Sequence, residues 1–130
     1  MKVFLTVVAV LLALLGITWL LSPGIMLGSW DVQTDATGVY LGRRLGVMAL
    51  GFACILWLSR GAGPSAARAA ILVGGAFVTA VITLVSLAGV ITGTIGPGGW
   101  ISATIEAMLA AGFIYFALAG RTQSGGAQAS

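Results

Sequence analysis

Histidine is absent from this 130-residue sequence. With it go the commonest general base, metal ligand and axial haem ligand. Cysteine occurs once, at Cys54 inside the apolar run MALGFACILWL, which excludes an intramolecular disulfide. Charge is scarce as well: 7% of the residues are Asp, Glu, Lys or Arg, against roughly 25% in a soluble domain. A water-facing surface is not built from so few charges, so apolar side chains must face lipid. The acids number three, Asp31, Asp35 and Glu106. Hydrolytic chemistry asks for paired carboxylates, a Ser/His pair or a metal site. The sequence presents none of these, so neither an enzyme nor a cofactor is expected. The formal charge of +3 rests on scattered residues, whereas a nucleic-acid footprint needs Lys and Arg gathered on one face.

What the sequence has in abundance is apolar run. Hydrophobic residues make up 59% of the chain. A helix needs about 20 of them to cross a hydrocarbon core roughly 30 Å thick, because each residue adds about 1.5 Å and every backbone polar group must be satisfied internally. Four segments meet that requirement, near residues 3–21, 37–58, 67–91 and 100–119. The expected fold is an all-α, four-helix transmembrane bundle in one domain covering residues 1–121. The first span ends at the breaker Ser22-Pro23-Gly24. The following stretch, with Ile25, Met26, Leu27 and Trp30, reads as a segment lying in the interface, and Thr34 or Asp35 is placed to cap the second span. The links RGAGPSAAR and TGTIGPGG read as turns, and residues 122–130 as a disordered tail. A secretory signal also begins with a basic residue and an apolar run. Here the run is long for one and no A-x-A site follows, which favours a retained span.

Lys2, Arg60, Arg68 and Arg121 flank one side of these spans, while the opposite loops hold Asp31 and Asp35. The positive-inside rule then puts both termini in the cytoplasm, with Trp30, Tyr40 and Trp100 at the outer interface.

Arg43 and Arg44 interrupt this pattern. Starting the second span after them leaves only about 14 residues to Leu58, too few to cross, so both lie within the membrane. They fall six and seven residues from Thr37, and Glu106 falls six residues from Trp100 on a span running the same way. Carboxylate and guanidinium therefore share a depth of roughly 10 Å. Intramembrane charges commonly face a bundle interior and find partners, which makes Arg43 and Glu106 a candidate ion pair. The competing reading has both arginines reaching the headgroups along their apolar stems. Glu106 is too short for that, and Ser102 stands one turn away from it.

Gly38, Gly42 and Gly46 recur every fourth residue and make a smooth ridge for close helix packing. Arg43 lies about 100° from the ridge centre and Arg44 nearly opposite it. That favours Arg43 for the interior and Arg44 for the headgroups. Ala103, Ala107 and Ala111 form a second small ridge, beside Ser102 and Glu106. Thr83 and Ser86 on the third span are secondary polar candidates, either bonding their own backbone or lining a cavity with Arg43 and Glu106.

Four short spans, a proline soon after the first (LLSPGIML), the entry RRLG to the second and an acid early in the fourth (WISATIEAML) resemble small uncharacterised bacterial membrane proteins, loosely of the DoxX type. The resemblance implies a bacterial inner-membrane protein without an assigned catalytic residue. The lack of histidine departs from the DoxX pattern. The leading functional expectation is an accessory or structural membrane protein, surrounded by lipid and associated with itself or with a larger membrane partner. The alternative is a small dimeric transporter or channel with an outer-leaflet Arg/Glu pocket.

Overall fold

A computed structural model describes the backbone from residue 1 to residue 126 and the side chains to residue 120. Every element is helical: α1 spans Lys2–Leu21, α2 Pro23–Ser29, α3 Ala36–Ser59, α4 Ala66–Ile91 and α5 Gly99–Gly126. Four of them, α1, α3, α4 and α5, are long and apolar enough to cross a membrane. Their starts and ends match the expected spans to within a residue or so, with one difference at the end of the chain. There α5 continues to Gly126, through residues 122–126 of the segment read as a tail; residues 127–130 of that reading lie outside the described residues.

Local chemistry sets the boundaries. Ser22, with φ −141°, leaves the helical region at the end of α1, and Pro23, which has no N–H to offer, opens α2. Of the two cap candidates for the second span, Asp35 takes the role: its Oδ1 accepts from the Gly38 N–H at 2.6 Å. The Ser65 hydroxyl oxygen does the same for α4, accepting from the Arg68 N–H at 3.2 Å. Gly93 turns the chain out of α4 at φ 71°, a left-handed conformation that suits glycine at a helix end.

Packing occurs in two seams, α1 along α3 and α4 along α5. In lipid there is no hydrophobic drive to bring helices together, so close van der Waals contact and interhelical bonds must do it. On α1–α3 the backbones touch: a Cβ built at Gly46 would stand 2.7 Å from both the Gly16 carbonyl oxygen and the Leu20 amide nitrogen. On α4–α5 the Phe113 ring lies against Gly75, so close that a Cβ there would meet it at 2.6 Å.

The seams are joined at both ends of the bundle. A core of Leu5, Val8, Ala9, Leu56, Leu72 and Phe113 draws on all four long helices, and the Phe4 ring stands 5.1 Å from those of Phe113 and Phe116. This is the terminal end, where the first turns of α1 meet the later half of α5. At the opposite, distal end the Gly96 N–H donates to the Trp30 carbonyl at 2.6 Å, and the Trp30 indole N–H donates to the Ser102 hydroxyl at 3.0 Å.

Candidate functional site

The polar side chains inside the spans collect in the distal half. Glu106 sits on the inward face of α5. Its neighbours one turn either side, Ala103 and Ala110, are buried, and Phe113 continues the same stripe. The carboxyl is half-buried, its Oε2 is closed off without a hydrogen-bond partner, and the Ser86 hydroxyl of α4 is its polar neighbour. Ser102 is engaged with Trp30. Thr83 donates to the Thr79 carbonyl at 2.7 Å and Thr79 to the Gly75 carbonyl at 2.7 Å, so these hydroxyls are spent on their own helix. A hydroxyl in an apolar medium takes the nearest backbone acceptor when no better partner is in reach.

Arg43 is placed elsewhere. It is exposed, and no ion pair links it to Glu106 among the described residues. The reason is rotational. On α3 the buried glycines Gly42 and Gly46 face α1. Measured from Gly42 at about 100° per residue, Phe52 and Leu56 lie roughly 80° and 40° to one side, and Arg43 about 100° to the other. Leu56 belongs to the core and Phe52 packs against it, so Arg43 is on the flank that turns away from the bundle centre. The α3 helix has its broad seam with α1 and α5 has its own with α4. Matched depth thus places the two charges in one layer without placing them side by side. Arg44 is exposed too and leans toward the distal end, its Nη1 3.5 Å from the Tyr40 hydroxyl and its guanidinium 5.8 Å from the Tyr40 ring centre.

The small-residue ridges divide in a similar way. Gly42 and Gly46 are buried against α1, with Trp19 and Pro23 covering Gly42, whereas Gly38 borders Leu27 of α2 and its own cap Asp35. Ala103 is buried, but Ala107 and Ala111 are exposed. They line an open groove of about 430 Å³ between α4 and α5, together with Thr83, Leu87, Trp100 and Met108. Glu106 is not part of that lining.

Among the described residues no cluster of His, Cys, Asp and Glu is arranged to hold a metal ion. The Trp30–Ser102 bond was not foreseen in the sequence: Trp30 was expected as an interfacial aromatic and Ser102 as a neighbour of Glu106, and the two residues are 72 positions apart. Phe113 as the filler of the Gly75 notch went unseen for the same reason.

No protein-family model matches the chain, and neither a curated protein nor a solved structure does. The chain is a small four-span helical membrane protein.

Proposed function

We propose that this chain is an accessory or structural protein of a bacterial inner membrane, without enzymatic activity, whose bundle serves as a docking partner within a larger membrane assembly. The observation that carries this reading is the state of its intramembrane polar groups. The threonine hydroxyls are bonded within α4, Ser102 is bonded to Trp30, and the half-buried Glu106 carboxyl has its Oε2 closed off on the inner face of α5. The groove is open sideways and lined largely by apolar side chains. A conduction path needs polar groups arranged in succession across the membrane. The inner halves of the spans carry almost none. The basic residues Lys2, Arg60, Arg68 and Arg121 support a cytoplasmic position for both termini by the positive-inside rule, and the bacterial inner membrane is the location that the DoxX-type resemblance implies.

The second reading, a small dimeric transporter, draws on Glu106 Oε2, an acid oxygen without a partner next to Ser86. One pair of measurements separates the two. The accessory reading expects the chain to sediment from native membranes, in mild detergent, well above the size of a monomer or dimer. It also expects vesicles holding the purified chain to leak protons and sodium no faster than empty ones. Sedimentation as a lone dimer, with an ion flux that Glu106→Gln abolishes, would replace it with the transporter.

A further inference from the structure

We propose that Arg43 and Arg44 form a docking site for the phosphate of an anionic phospholipid in the distal leaflet. Both side chains are exposed on α3, alongside Leu41, Val47 and Met48, which are 56%, 58% and 72% exposed. They lie seven and eight residues inside the helix start at Ala36, a depth of roughly 10–12 Å. Two basic side chains therefore stand on a lipid-facing surface. Helical side chains lean toward their own N-terminus, here the distal end, and long basic stems extend the charge to the headgroup layer. Arg44 shows this directly by reaching back one turn onto Tyr40.

Among the described residues no acid serves as the counter-ion of Arg43 or Arg44. Asp35 is committed to capping α3, Asp31 lies against Gly96, and Glu106 sits half-buried on the inward face of α5 with its Oε2 closed off. No ion pair forms among the described residues. The basic groups at the terminal end differ: Arg60 lies over the Trp57 ring at 3.7 Å and donates to the Trp57 carbonyl, and Arg68 donates to the Ala62 carbonyl at 3.2 Å. Arg43 and Arg44 have no backbone carbonyl of this kind. A guanidinium fork suits phosphate oxygens, and consecutive residues of α3 carry two of them. The apolar side chains beside them suit acyl chains, so one amphiphile covers both parts of the surface. A soluble phosphate would satisfy the forks and leave Leu41, Val47 and Met48 against other lipid.

The test is native mass spectrometry of the full chain in neutral detergent, titrated with phosphatidylglycerol or with phosphatidylcholine of the same acyl chains. Basic residues near an anionic surface contribute about fivefold each in affinity, so the first phosphatidylglycerol should bind on the order of 25-fold more tightly than phosphatidylcholine. Arg43→Gln with Arg44→Gln should abolish that preference. Arg43→Lys with Arg44→Lys should keep most of it, and Arg60→Gln with Arg68→Gln should leave it in place. A headgroup-photoreactive phosphatidylglycerol should mark residues 36–48 in the unmodified chain, a result that does not depend on any variant folding. Equal binding of the two lipids, an unchanged preference in the double glutamine variant, or adducts confined to other helices would overturn the proposal. Displacement of the lipid by millimolar glycerol phosphate would do so too, and would assign the site to a soluble phosphate.

Discussion

The two helix seams solve one problem in opposite ways. Between α1 and α3 the closest approach is backbone to backbone, with Gly46 against Gly16 and Leu20. Between α4 and α5 the glycine of one helix receives an aromatic ring from the other, Phe113 into Gly75. The first arrangement brings helices together by removing side chains, and the second by fitting one. In lipid, where apolar surface gains nothing by leaving its surroundings for protein, both increase contact between helices. They differ in tolerance. A side chain has rotamers through which to yield, whereas a carbonyl held in a helix yields only if the helix moves.

The largest expected effect tests that difference at its rigid end. Gly46→Ala should destabilise the folded bundle by about 3 kcal/mol, the upper part of the overpacking range, because the new methyl meets main-chain atoms of α1. Gly75→Ala should cost less, about 1–2 kcal/mol, and adding Phe113→Leu should recover part of that loss. No side-chain truncation on α1 should recover Gly46→Ala. The midpoint of unfolding in mixed micelles titrated with sodium dodecyl sulfate measures all of these. Equal losses at the two glycines, or rescue of Gly46→Ala by trimming Leu20, would mean that the seams are alike after all.

A smaller effect belongs to the distal clasp that ties the seams together. Trp30→Phe keeps the ring but removes the indole donor to Ser102, and should cost about 0.5–1.5 kcal/mol. Trp100→Phe, at a half-exposed ring, should stay within about 0.5 kcal/mol. If the two substitutions cost the same, the Trp30–Ser102 bond contributes nothing and the clasp consists of the Gly96–Trp30 backbone bond alone.

The difference between the seams also shows which parts of the fold could be read from the sequence. The spans were legible because lipid imposes a length, and an apolar run of that length suits little besides a membrane crossing. The cap was legible to within two residues, Thr34 or Asp35, because a side-chain oxygen before a helix has a near-fixed target in the first-turn N–H groups, and Asp35 is the one that takes it. The Gly42–Gly46 ridge announced close packing but not its partner, since a smooth stripe fits any helix that approaches it. Arg43 depended on what the ridge left open. Its position about 100° from Gly42 is a fact of helix geometry, but whether that flank faces protein or lipid depends on where Phe52 and Leu56 find the core. The outward Ala107 and Ala111 carry the same ambiguity, because spacing identifies a stripe and only the neighbouring helix decides what it meets.

The smallest expected effect is a coupling close to zero, and it bears on whether the seams are energetically separate. Arg43 belongs to the α1–α3 pair and points to lipid, and Glu106 belongs to α4–α5 and points inward. Removing one member of a buried ion pair commonly costs about 3–5 kcal/mol, because the other charge is stranded, and removing both restores much of the loss. Residues without a shared partner instead give losses that add to within about 0.3–0.5 kcal/mol. Arg43→Leu, Glu106→Gln and their combination should follow the second rule in the same unfolding titration. A double variant more stable than the sum of its parts by over about 1 kcal/mol would lie outside that additive range. Arg43 and Glu106 would then have to meet, within one chain or across a dimer. The α3 flank would no longer be a lipid-facing surface, and the assignment of Arg43 and Arg44 to a phospholipid phosphate would have to give way to an internal pair.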